Sequence, residues 1–130
     1  FILDWTNGYT YPVQYVCHQI FASGKRLIDL QYTRAMAAKV LEEQSHIYMQ
    51  YRNMLTLAQW ELAKAIAKES SISQPYQQAF IQQHKLGSVS TVKRGLDALI
   101  DKELVLAEAT ENGLVYSVYD KLFLRFLQRI

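Results

Sequence analysis

The sequence predicts a mainly α chain: a small helical bundle over residues 1–53, then three helices, a β-hairpin and a closing helix over residues 54–130. Three observations carry this. Apolar residues recur at helical spacing, in Val13, Val16, Cys17, Ile20 and Phe21 and again in Val92, Leu96 and Leu99. Leu104-Val105-Leu106 and Leu114 to Tyr119 read as strands on either side of Glu111-Asn112-Gly113, and Asn-Gly suits a turn that needs positive φ. Half of the 130 residues are hydrophobic and a fifth are charged, with 5 Gly and 2 Pro, which is the composition of a folded globular protein.

Taken in order, Pro12 suits the first turn of a helix because it has no amide to leave unpaired there. The stripe that follows, Cys17 included, faces inward, and Ser23-Gly24-Lys25 ends the helix. Leu27-Ile28 is a short extended bridge. Asp29 is a candidate N-cap for a long helix from Leu30 to about Arg52, with Ala35, Met36, Val40, Leu41, Ile47, Tyr48 and Tyr51 buried and Arg34, Lys39, Glu42 and Glu43 wet. Thr56 caps the next helix, whose inner face holds Leu57, Trp60, Ala63, Ile66 and Ala67. Ser71 and Ser73 break it. Pro75 opens a helix through His84, with Tyr76, Ala79 and Phe80 inward. After the Leu86-Gly87 turn, Ser88 or Ser90 starts a third helix. The hairpin follows, and Asp120 starts a last helix with Leu122, Phe123, Phe126, Leu127 and Ile130 on its apolar side. Three helices and then a hairpin is the order of a winged helix-turn-helix domain.

Composition narrows the function. Fourteen cations face twelve acids, so the net +2 gives no bulk attraction to nucleic acid or anionic lipid. A single cysteine excludes an internal disulfide and suits a reducing, cytoplasmic compartment. No apolar run approaches the ~18 residues of a membrane span. The chain starts without Met and in mid-pattern at Phe1-Ile2-Leu3-Asp4-Trp5, so it is expected to be a piece of a longer protein.

Two stretches carry a resemblance. Thr6-Asn7-Gly8-Tyr9-Thr10-Tyr11-Pro12-Val13-Gln14-Tyr15 resembles the threonine-x-glycine-tyrosine-x-tyrosine start of a lid helix. Val118-Tyr119-Asp120-Lys121-Leu122-Phe123-Leu124-Arg125-Phe126-Leu127 resembles the valine-tyrosine-aspartate and aromatic-leucine close of the same region. The family is that of P-loop ATPases of the AAA+ and signal-transduction type, in the archaeal and Bacteroides-like group. Its members follow a nucleotide-binding core with a helical lid and a winged helix. The resemblance implies that residues 1–53 are lid-like and that ATP and Mg²⁺ belong to the full-length protein. It also implies that the chain's own ATPase core is its first partner, beside a protein partner or further copies.

Gly8, Tyr9 and Thr10 are the nucleotide-facing candidates under that resemblance. The proline that lies against nucleotide in the family falls two places later here, at Pro12, and no Lys or Arg occurs from Phe1 through Gly24. A helix–helix turn filled by packed tyrosines is the competing reading of Gly8 to Pro12.

Catalytic chemistry is missing from the sequence. Gly24-Lys25-Arg26 places Arg where a phosphate loop needs a hydroxyl, and Gln19 stands where its first glycine belongs. His18, His46 and His84 lack metal-ligand spacing, with His84 at a wet helix end. No cofactor, metal or catalytic residue is therefore expected in this chain.

DNA contact has candidates in Ser88, Ser90, Thr91, Lys93 and Arg94, hydroxyls and cations at the start of the third helix. Lys64, Lys68, Lys85, Arg125 and Arg129 could join them if folding gathers them on one side. Against this, Asp97 and Asp101 share the outer stripe with Arg94. From Glu103 to Tyr119 there is no Lys or Arg, only Glu103, Glu108 and Glu111, for a charge of −3. Duplex affinity rests on phosphate neutralisation, so DNA is disfavoured as a partner, and a protein surface is preferred.

Overall fold

The computed structural model describes residues 1–130. Its elements run α1 (Ile2–Trp5), α2 (Thr10–Ala22), α3 (Leu30–Met54), α4 (Leu57–Lys68), α5 (Gln78–Gln83), α6 (Val89–Asp101), β1 (Val105–Thr110), β2 (Gly113–Val118) and α7 (Lys121–Arg129). A mostly helical chain with a short antiparallel hairpin among helices is a winged helix-turn-helix topology.

Caps explain where the helices begin. The Asp29 carboxylate accepts from the Tyr32 amide at 2.7 Å, and α3 starts at the next residue, Leu30. Thr56 and Gln59 form a reciprocal capping box at α4, worth about 1 kcal/mol. Ser88, rather than Ser90, caps α6 by accepting from the Thr91 amide at 3.2 Å. Asp120 accepts from both the Leu122 and Phe123 amides at the start of α7.

The hairpin pairs Val105 with Val118 through to Thr110 with Gly113, leaving Glu111 and Asn112 as the turn. Positive φ falls on Gly113, at +109°, and not on Asn112. Ile72 adds a third, single-residue rung: it exchanges both backbone hydrogen bonds with Tyr116, each 2.9 Å. One such rung has no periodicity, and Ser71-Ile72-Ser73 reads in sequence only as a helix break.

The core runs through both halves of the chain. Phe123 is fully buried and meets Tyr48 at 5.3 Å, Tyr51 at 5.1 Å and Trp60 at 6.2 Å between ring centroids. This cluster holds α3, α4 and α7 together. Arg125 then ties α7 to α1: its Nε donates to the Trp5 carbonyl at 2.6 Å and its Nη2 to that of Asp4 at 3.1 Å.

Several expected positions differ. Cys17 is exposed rather than buried, because α2 fully buries only Pro12 and Val16; on the same uncovered face Phe21 is 85% exposed. Ala35 lies outside on α3, and Leu57 lies outside in the first turn of α4. The helix expected from Pro75 starts at Gln78, so Tyr76 and Ala79 are solvent-facing while Phe80 and Ile81 carry the burial. Ile130 falls beyond α7 and is exposed. His84 is not wet: its Nε2 lies 2.9 Å from Glu69 Oε1 and its ring 5.0 Å from that of Phe80.

Candidate functional site

Two surfaces collect the candidate residues. The first is the outer face of α6. Ser88, Ser90, Lys93 and Arg94 are exposed and Thr91 is half-buried. The hydroxyls are engaged with one another: Ser88 Oγ lies 3.1 Å from Ser90 Oγ and 2.9 Å from Thr91 Oγ1, beside its cap bond. Lys93 and Arg94 project freely. Asp97 and Asp101 follow on the same exposed stripe, and the wing carries exposed Glu108 on β1 and Glu111 in its turn.

The other cations do not gather here. Lys64 pairs with Glu61 at 3.3 Å on its own helix, and Lys68 donates to the Gln128 carbonyl at 2.9 Å. Arg125 is spent on α1, and Arg129 lies 3.5 Å from Glu42 of α3. From Asp97 to Asp120 six acids stand against Lys102 alone. Near α6 only Lys85, Lys93, Arg94 and Lys102 remain, and the wing opposite them is acidic.

The second surface lies where the two motif-bearing stretches meet. Tyr9, Thr10, Tyr11 and Pro12 face Tyr119, Asp120 and Lys121 across a cleft of about 520 Å³, closed by Tyr51, Glu103 and Leu104. Asn7 and Gly8 make the turn that delivers Tyr9, with φ of +53° and +72°. A Cβ built on Gly8 meets nothing within 4 Å, so its conformation rather than space calls for glycine. Gly8 itself is exposed and outside the cleft wall, while Tyr9 and Thr10 line it.

Lys121 is 5% exposed, donates to the Val118 carbonyl at 2.7 Å, and stands 4.9 Å from the Tyr9 ring centroid. Burial lowers its pKa, against the raising pull of Glu108 and Asp120. In sequence it reads as an ordinary first-turn lysine. Glu103, Tyr119 and Lys121 were not legible as a group, because they are assembled from the end of α6, the end of the hairpin and the first turn of α7. The one hint was that Tyr119-Asp120-Lys121 sits inside the closing stretch that resembles the ATPase family.

The nucleotide-facing and DNA-contact candidates are not brought together: none of Ser88, Ser90, Thr91, Lys93 or Arg94 lines the tyrosine cleft. No group of three or more His, Cys, Asp or Glu residues is arranged to hold a metal ion. No helix is long and apolar enough to cross a membrane.

Comparison with curated proteins and with solved structures returns no match. A protein family does match, over residues 46–129, from within α3 to the end of α7, and its description reads "Probable winged helix domain". That span takes in well over half of the chain, including the three helices, the hairpin and the helix that closes the core, so the chain belongs to this winged-helix family.

Proposed function

We propose that the chain is a non-catalytic docking module whose winged helix engages a protein surface rather than duplex DNA. One observation carries this reading: the second half of α6 and the wing carry exposed Asp97, Asp101, Glu108 and Glu111, the elements a winged helix would bring to DNA. Phosphate neutralisation supplies most non-specific duplex affinity, and here the four acids cancel the four free cations Lys85, Lys93, Arg94 and Lys102 and leave no net positive charge for it.

The same proposal places the module in a P-loop ATPase, with residues 1–53 as a lid over nucleotide held by that protein's core, where ATP and Mg²⁺ would bind. What supports this is the resemblance of residues Thr6–Tyr15 and Val118–Leu127, together with the meeting of those two stretches at one cleft. The family match concerns the winged helix alone and leaves this attachment to be tested. A polypeptide carrying this chain without a glycine-rich phosphate loop would remove it.

A DNA-binding regulator is the second reading, and the family match sits closer to it than to the ATPase assignment. Its specific support is the exposed Ser90, Lys93 and Arg94 on the first turns of α6. Anisotropy of a fluorescent duplex at low ionic strength separates the two. The docking reading expects no saturable binding below about 10⁻⁵ M protein, the middle of the range of ordinary non-specific affinity. It also expects Glu108→Lys with Glu111→Lys to raise affinity measurably at low salt. Saturable binding by the unaltered chain would replace docking with DNA recognition.

A further inference from the structure

The tyrosine cleft continues into a second one, of about 440 Å³, with which it shares Glu103 and Tyr119. The extension is walled by Ile100, Val105, Leu106 and Ala107. Val105, Leu106 and Ala107 are consecutive, and consecutive strand residues face opposite sides of a sheet, so a cleft touching all three runs along the edge of β1. That edge is open, since β1 pairs with β2 alone. The two clefts meet at Glu103 and Tyr119 and together form a groove lined from Tyr9 to the first half of β1.

Its aromatic lining is unusual for this molecule. Of the nine tyrosines, Tyr9, Tyr11, Tyr76 and Tyr119 are exposed, and three of these four stand on this groove; Tyr11 is 65% and Tyr119 55% exposed. Exposed tyrosines around a groove are a contact surface, apolar on the ring and polar at the hydroxyl. Electrostatics selects the occupant. The Lys121 ammonium, held by the Val118 carbonyl and the Tyr9 ring, offsets the Asp120 carboxylate that caps α7, while Glu103 on the rim has no ion-pair partner and leaves the lining with a net negative charge. Guanidinium and ammonium groups are attracted both to the unpaired Glu103 carboxylate and to tyrosine faces.

We propose that this groove binds a cationic, arginine- or lysine-bearing segment of a protein partner, with the cation held between Glu103 and the tyrosines and the adjoining apolar residues along β1. This rests on the docking reading above and names its site and partner chemistry.

Glu103 makes the proposal separable from folding. It follows the C-terminal end of α6 with φ +61°, its amide donating to Ile100 and that of Leu104 to Leu99, a helix-ending geometry that favours glycine. Glu103→Gly therefore removes the carboxylate while relieving backbone strain. The probe is a short fluorescein-labelled peptide alternating arginine with leucine, with a matched peptide carrying glutamate for arginine. The arginine peptide is expected to bind saturably and the glutamate peptide not to bind. Glu103→Gly and Tyr119→Ala should each weaken binding roughly two- to fivefold, the size of one exposed cation contact. The melting temperature of Glu103→Gly should hold or rise, and Glu43→Gln on the outer face of α3 should leave binding unchanged. Equal binding of both peptides, or affinity unmoved by both groove variants, overturns the proposal. Duplex binding in the earlier experiment would instead overturn the docking reading on which it rests.

Discussion

Tyr48 is the residue on which burial and charge meet most directly. It is 2% exposed, with its ring 5.3 Å from Phe123 and 4.9 Å from Phe126. Burial raises its pKa well above the ordinary tyrosine value, and the Asp120 carboxylate, then Tyr51, Tyr11 and Tyr15, push it further. An unfolded chain releases this proton near pH 10, whereas the folded chain retains it. Between those two values the unfolded state binds fewer protons, so stability is complete below pH 10 and falls above it, by about 1.4 kcal/mol per pH unit for this group. Lys121 acts with the opposite sign. Its folded pKa is lowered, so the unfolded chain holds the extra proton and stability rises as pH climbs toward the free lysine value. Urea denaturation from pH 9 to about 11 is expected to show stability level or rising up to about pH 10 and declining above it, and Tyr48→Phe to flatten that decline. An equally steep decline in Tyr48→Phe would assign the effect to another group.

α6 shows how much an element's sequence specifies and where it stops. A Cβ built on Gly95 would lie 3.1 Å from Leu62 Cδ2, so α4 and α6 cross there at a distance only glycine allows without a shift of the neighbour. Glycine inside a helix costs about 1 kcal/mol relative to alanine, and the close approach offsets it. Gly95→Val drives methyls against the buried Leu62 side chain, and is expected to lower stability by about 1–3 kcal/mol in chemical denaturation. An unchanged midpoint would mean that the crossing is looser than the geometry. The long elements were legible because α3, α4, α6 and α7 each combine a capping side chain with an apolar stripe. α5 was overextended because Pro75 and Tyr76 carry helical spacing yet belong to the turn before it, and the Ile72 rung was missed because a single backbone pair leaves no pattern. The same logic divides the two candidate surfaces. Ser88 to Arg94 follow one another on one helix, so their common location could be read directly. The tyrosine groove takes residues from α2, α3, α6, the hairpin and α7, and long-range convergence of that kind has no local signature.

At the scale of the whole molecule, one core serves both the N-terminal helices and the winged helix. Val16, Val40, Leu41 and Tyr48 belong to the same buried cluster as Ile66, Leu96, Leu99, Phe123 and Leu127. The family match begins inside α3 at His46, so it includes Tyr48 and Tyr51, the two tyrosines that pack on Phe123. A winged helix deprived of that half of α3 would leave one side of Phe123 bare, and an aromatic side chain exposed in this way forfeits about 1.5–3 kcal/mol of burial. The two segments, residues 1–53 and residues 54–130, are therefore expected to unfold together. In a Trp5→Phe background, which leaves Trp60 as the single tryptophan, fluorescence reports the junction of α4 and α7 and should follow the same denaturation curve as helical circular dichroism, which α3 dominates by length. Phe123→Ala should move both curves by the same amount, with a loss of about 3–5 kcal/mol, because the cavity opens at the point where all three helices meet. Two separated transitions, with only the fluorescence displaced by the substitution, would show that the N-terminal helices fold on their own and that Phe123 stabilises the winged helix alone.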